Sequence, residues 1–221
     1  MRRSGILGGI LSAATLLAAC GNSPTGQEFR AAVSAAGEVV APGEQPPPEA
    51  LGRASFELVP GPLLFVVLRN GAAAAPMVPF GDNRGFRTWS TAEKQTLTLR
   101  QGVVVATRGL GDDLMSADVS ATARALASGS GEGVVRITRH LDGADGVRVR
   151  SLSCNVTTAG RESITLVSGE ALNAVRVTED CSDGDVAFRN TYLKNGNGTV
   201  RRSRQWVSPD VGYATIEVLR E

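Results

Sequence analysis

From Ala54 onward, apolar and polar side chains alternate with a period of two, and turn-forming residues break the alternation at short intervals. Leu97 and Leu99 alternate with Thr96, Thr98 and Arg100, and Gln101-Gly102 then reads as a hairpin turn into Val103-Val104-Val105. Val135 and Ile137 alternate with Arg136 and Thr138, and Val147 and Val149 with Arg148 and Arg150. Ile164 and Leu166, Val175 and Val177, and Ile216 and Val218 repeat the pattern. Turn signals fall at Asn70-Gly71, Asp142-Gly143, Ala159-Gly160, Ser168-Gly169, Asp183-Gly184 and Asn195-Gly196-Asn197-Gly198. Successive strand residues point to opposite faces, so this is the pattern of half-buried strands. About ten to twelve short strands at hairpin spacing predict an all-β fold, an antiparallel β-sandwich or partly closed barrel.

One helix interrupts the strands. Ser116 or Asp118 can cap it, Val119, Ala123, Leu126 and Ala127 form its apolar stripe, and Gly129 stops it. The SGSGEG stretch at 128–133 is a candidate boundary between two sub-units of a domain covering 54–221.

The first 53 residues read differently. Arg2 and Arg3 precede an apolar run from Ile6 to Leu17, which is the layout of a secretory signal over 1–19. The run is shorter than the ~18–20 residues needed to span a bilayer. Leu17-Ala18-Ala19-Cys20 resembles the bacterial lipobox, in which the cysteine is lipidated and becomes the new N-terminus. Several acyl chains on one residue anchor stably where a single chain does not. Gly21, where Asp tends to signal inner-membrane retention, points to an outer-membrane lipoprotein facing the periplasm. Residues 20–53 are rich in Gly, Ala, Pro, Ser and Glu and read as a flexible tether, with a short helix over Gln27–Ala36.

Charge and cysteines narrow the function. Removal of residues 1–19 takes away two arginines, leaving 21 basic against 22 acidic residues. A near-neutral domain carries no electrostatic footprint for nucleic acid. Once Cys20 is lipidated, Cys154 and Cys181 remain as an even pair in an oxidising compartment and are expected to form a disulfide. With a single histidine, His140, and no CxxC, no metal site is expected.

The search for catalytic residues yields none, and no cofactor is expected. His140 lies in RHLDG between a strand and a turn and reads as an exposed edge residue, away from Tyr192 and Trp206. Gly109-Leu110-Gly111-Asp112-Asp113 lacks the Lys and the following helix of a phosphate loop and reads as a turn. The C-terminal third offers a binding chemistry instead. Arg202, Arg204 and Trp206 share one strand face by alternation, with Arg201, Ser203 and Gln205 on the other and Tyr192 before the preceding Asn/Gly turn. Aromatic rings stack on the apolar faces of sugars while guanidinium and amide groups bind hydroxyls or carboxylates. Trp89, in Phe86-Arg87-Thr88-Trp89, invites the same reading, and for each aromatic the competing reading is a core residue.

The stretch from Leu97 to Leu114, LTLRQGVVVATRGLGDDL, resembles the "lxnGrivrTxGLxxDL" pattern of the YjbF/GfcB family of lipoproteins. Tyr192, Ser203-Arg204-Gln205-Trp206-Val207-Ser208-Pro209 and Gly212 resemble that family's closing "S-x-Q-W-x-x-P" segment. The resemblance covers about residues 54 to 220. It implies an all-β outer-membrane lipoprotein of exopolysaccharide or capsule production, without established catalytic residues. Expected partners are the membrane, polysaccharide and other envelope proteins of the same pathway. A carrier of lipid or another amphiphile is the alternative, and a glycan-cleaving enzyme a third reading.

Lipidation at Cys20 is directly testable. Cells labelled with palmitate should show a labelled protein that Cys20→Ala abolishes, together with a shift in electrophoretic mobility; a variant that still carries label refutes the anchor.

Overall fold

The computed structural model describes residues 56–141 and 146–221. The signal segment, the tether at 20–53, the Gln27–Ala36 helix and the Asp142-Gly143 turn lie outside them.

Twelve strands form one antiparallel sheet. In chain order they are β1 (Leu63–Leu68), β2 (Ala73–Asn83), β3 (Phe86–Ser90), β4 (Thr96–Arg100), β5 (Val103–Arg108) and β6 (Leu114–Asp118), then β7 (Ser130–Leu141), β8 (Val147–Thr165), β9 (Ala171–Ser182), β10 (Ala187–Lys194), β11 (Val200–Ser208) and β12 (Gly212–Arg220). The helix α1 (Ser120–Ser128) separates β6 from β7. The spatial order is β5-β4-β3-β2-β1-β12-β11-β10-β9-β8-β7-β6. Each strand therefore pairs with its chain neighbour, the first pairs with the last, and the circuit is broken only between β5 and β6. The result is a nearly closed barrel with a single seam.

The local chemistry explains the turns. Gln101 and Gly102 both take positive φ, 50° and 81°, as a two-residue hairpin turn requires. A Cβ on Gly102 would lie 2.7 Å from Cβ of Val200, so a side chain there has no room. Ala159-Gly160, which reads as a turn in the sequence, does not turn. β8 runs straight through it for 19 residues, with a register shift between Thr158 and Gly160. A glycine inside a strand marks a bulge as readily as a loop.

The helix begins one residue later than expected. Val119 occupies the N-cap position, and Asp118 Oδ1 accepts from the Ser120 amide at 3.0 Å, while Ser116 lies within β6. Gly129 ends the helix in the left-handed conformation (φ 85°), its amide donating to the Ala125 carbonyl. Thr122, Ala123, Ala125 and Leu126 are buried, whereas Ala127 faces outward. The 128–133 stretch carries the chain from α1 into β7, within the same sheet.

Apolar side chains fill the interior, with Leu64, Trp89, Leu97, Leu114, Val207 and Ile216 in one cluster. Val103, Leu126, Val177 and Tyr192 belong to a second. On β7 the alternation has its polar half inside: Arg136, Thr138 and His140 are buried, whereas Val135 and Leu141 are about half exposed. His140 is thus an interior residue rather than an exposed edge one. Something inside the barrel must compensate the Arg136 charge, because an unpaired buried ion costs several kcal/mol.

Cys154 and Cys181 are directly opposed partners on β8 and β9 and form the disulfide. Their sequence separation is 27, and chain-entropy reasoning assigns a loop of that size about 3–4 kcal/mol. Reduction should lower the urea midpoint correspondingly, and an unchanged midpoint on full reduction would show that the ladder alone holds the two strands.

Candidate functional site

Glu179, on β9, is the centre of the interior polar chemistry. Alternation puts it on the same face as Val177 and Cys181, all buried. Its carboxylate accepts from Arg136 Nη1 at 3.1 and 3.3 Å, Asn190 Nδ2 at 2.8 Å, the Tyr192 hydroxyl at 2.8 Å and Thr122 Oγ1 at 3.0 Å. Burial alone would raise the Glu179 pKa, but the Arg136 charge and the Asn190, Tyr192 and Thr122 donors outweigh it and hold the carboxyl below its ordinary value. Burial, and then the neighbouring carboxylate, push the Tyr192 hydroxyl well above its ordinary value, so it remains a neutral donor.

The network reaches across the barrel to the seam. Arg136 Nη2 donates to the Val104 carbonyl at 3.2 Å. Gln205 Oε1 accepts from the Val104 amide at 2.9 Å, and its Nε2 donates to the Gly102 carbonyl at 2.8 Å and to Ser203 Oγ at 2.9 Å. The Gln205 carboxamide thus meets the open edge of β5 as a peptide group of a neighbouring strand would. At the far end of β5, Thr107 Oγ1 donates to Asp113 Oδ1 at 2.8 Å and accepts from the Leu114 amide at 3.0 Å. The Asp113 carboxylate also accepts from the amides of Gly109 and Leu110. Arg108 spans the gap with bonds to the carbonyls of Leu114 and Met115 on β6.

The residues singled out by sequence therefore fall into two groups. Trp89, Tyr192 and Gln205 are interior, at 3%, 0% and 0% exposure, with Trp89 at the floor of a groove beside Arg87. The core reading holds for these two aromatics, and the Gln205 amide is taken up by β5. Trp206 is half-buried, stacked on Phe188 with centroids 4.7 Å apart and edge-on to His140 at 5.9 Å. His140 thus does sit beside Trp206, contrary to the sequence reading. Its Nε2 is engaged with the Val207 carbonyl at 3.0 Å. Arg202 and Arg204 reach the outer face.

Those two arginines line a groove of about 280 Å³ across the outside of β8–β12, together with Glu162, Arg176, Thr191 and Thr215. The Glu162 carboxylate is bound to Arg176 at 2.7 Å, so the groove offers cations and hydroxyls rather than a pair of facing carboxylates. A larger groove, about 460 Å³, opens at the end of the barrel that holds the Gln101-Gly102 turn, lined by Arg87, Gln101, Lys194, Asn197 and Glu221 among others. Cys154, Glu179 and Cys181 bring three potential metal donors within 4.8 Å of one another. They do not fit a metal: the sulfurs are bonded to each other and Glu179 is committed to Arg136.

Sequence reasoning missed Glu179, Arg136 and Asp113 as organising residues. The available signal was parity, because Glu179 falls in phase with Val175, Val177 and Cys181.

Comparison with known proteins places the chain. Residues 26–219 match the family described as YjbF, group 4 capsule polysaccharide lipoprotein gfcB. No curated protein matches. The crystal structure of the hypothetical lipoprotein YmcC from Escherichia coli K12 superposes with a TM-score of 0.70 at 19% identity, covering 92% of this chain and 98% of that one. At that identity the two share a fold.

The interior network makes two predictions. Gln205→Ala leaves the Val104 amide and the Gly102 carbonyl without their side-chain partner, at about 1–3 kcal/mol for each buried group, and should lower the urea midpoint accordingly. Glu179→Gln uncovers the Arg136 charge and should cost about 3–5 kcal/mol at neutral pH. Because the folded Glu179 pKa lies below the unfolded value of about 4.3, its stabilisation is full above that pH and is lost as pH falls through the folded value. Urea titrations from pH 7 to pH 3 should show this acid loss in the wild type and a shallower one in Glu179→Gln; parallel curves refute the assignment.

Proposed function

The chain belongs to the YjbF/GfcB family of group 4 capsule polysaccharide lipoproteins, and from that premise we propose that it is a non-catalytic accessory factor in the secretion or assembly of exopolysaccharide or capsule. It acts from the periplasmic face of the outer membrane, held by the lipid on Cys20, and works by binding glycan or partner envelope proteins. The observation that carries this reading is the division of its chemistry. The buried ionisable and amide groups, Glu179, Arg136 and Gln205, are committed to holding the barrel together. Arg202 and Arg204 of β11 stand on the outside, lining a groove where a ligand can meet them.

Carriage of an amphiphile would need a deep apolar cavity. The Glu179 network and packed side chains cross the described interior. The groove of about 460 Å³ that reaches Leu64, Trp89, Leu99 and Leu126 is also lined by Arg87, Gln101, Lys194 and Glu221, polar groups that favour surface binding over an acyl chain. A glycan-cleaving mechanism through His140 would need its Nε2 free, and the Val207 carbonyl engages it.

Deletion of the gene under conditions that induce the polysaccharide tests the role. Surface polysaccharide should fall, and a plasmid copy of the wild type should restore it. Unchanged surface yield in the deletion strain removes the reading.

A further inference from the structure

On the outer face of β8–β12, Thr157, Thr178, Thr191, Arg204 and Thr215 are successive cross-strand partners and form one row. All five are exposed or half-exposed, and their chain neighbours Val156, Val177, Tyr192, Ser203 and Ala214 are buried. Five strands at a spacing of about 4.8 Å make the row roughly 19 Å long. It is a hydroxyl-rich track around the barrel wall with one guanidinium in it.

That guanidinium differs from its neighbours. On β9, β10 and β11 Arg176 is paired with Glu162 at 2.7 Å, Arg189 with Asp180 at 2.5 Å, Arg201 with Glu170 at 2.7 Å and Arg202 with Glu217 at 2.6 Å. Arg204 has no carboxylate partner among the described residues. It lies 3.5 Å from the centroid of the Tyr213 ring, and the Tyr213 hydroxyl is itself fixed by the Arg189 amide at 3.2 Å. An aromatic ring steadies the guanidinium without using its five N–H donors. The flanking hydroxyls of Thr191 and Thr215 likewise have no protein partner among the described residues, and all three side chains line the 280 Å³ groove with Arg176 and Arg202. A planar cationic fork fits a carboxylate, and hydroxyls set beside it fit sugar hydroxyls.

We propose that this face is a binding site for an acidic polysaccharide, with the carboxylate of one sugar on Arg204 and neighbouring sugar hydroxyls on Thr191 and Thr215. The proposal rests on the reading of the protein as a glycan-binding accessory factor and names the ligand class and the place. An extended polymer follows the row from strand to strand, and because Arg176 and Arg202 are each neutralised by a carboxylate, Arg204 is the charge in the groove left for the ligand.

The test is calorimetric titration of the full mature lipoprotein in detergent with tetragalacturonate, tetragalactose and a short polyglutamate of equal charge. Tetragalacturonate should bind, more weakly as salt is added. Arg204→Gln should weaken it by about tenfold or more, the loss expected for a charge-assisted hydrogen bond, with an unchanged thermal unfolding midpoint. Thr191→Val with Thr215→Val should weaken the sugar and spare any residual polyglutamate binding. Equal affinity for polyglutamate and tetragalacturonate overturns the proposal in favour of a general anion patch. Wild-type affinity for tetragalacturonate in Arg204→Gln overturns the site. Binding of tetragalactose as tight as that of tetragalacturonate, unaffected by Arg204→Gln, overturns the acidic ligand while leaving a glycan role intact. Failure of the parent reading is separate, since it appears as normal surface polysaccharide in the deletion strain.

Discussion

The amide of Gln205 meets β5 where another strand would otherwise have to lie, and the closure of the barrel follows from that contact. An open edge presents unpaired N–H and C=O groups, and burying them without partners costs about 1–3 kcal/mol each. Here the Val104 amide and the Gly102 carbonyl bond to one side chain of β11, and the Val104 carbonyl bonds to Arg136 of β7. Arg136 can enter the interior only because Glu179 is there, and Glu179 stays ionised only because four side chains donate to it. The seam, the inverted phase of β7 and the buried carboxylate form one chain of physical dependence.

The two stretches that carry the family resemblance lie about a hundred residues apart in sequence and touch in the fold. In the first, Gly102 makes the turn against Val200, and Thr107, Gly109, Leu110, Asp113 and Leu114 build the link from β5 to β6. In the second, Ser203 and Gln205 hold the β5 edge, while Trp206 fills the space beside Phe188. Read as chemistry, Gln205 and Trp206 invited a sugar. Placed in three dimensions, the short motifs describe how a barrel with one gap stays shut.

Much of the architecture was legible in the sequence because period-two alternation is local. Leu97 with Leu99, Val175 with Val177 and the Gln101-Gly102 turn needed no long-range information. What was not legible depended on which face becomes the inside. On β7 the local pattern is the same whether Val135 or Arg136 is buried, and the choice is made by Glu179, more than forty residues away. Ala159-Gly160 has turn composition, yet lies within the long β8–β9 hairpin that carries it as a bulge. Trp89 and Trp206 have the same side chain and different environments, a difference set by cross-strand neighbours rather than by flanking residues. The Arg204 site was half legible: alternation pointed the side chain outward, but its lack of a carboxylate partner emerges only from the pairings of four neighbouring arginines.

The pairing of β1 with β12 has a temporal meaning as well as a spatial one. A chain delivered from its N-terminus presents β1 well before β12, so Leu64, Phe65 and Val66 wait for partners encoded about 150 residues downstream. During that interval the most apolar strand has an unsatisfied edge, which is the circumstance in which strands find the wrong neighbour. Residues 216–220 of β12 therefore act as the latch of the described barrel, which closes only once β12 reaches β1.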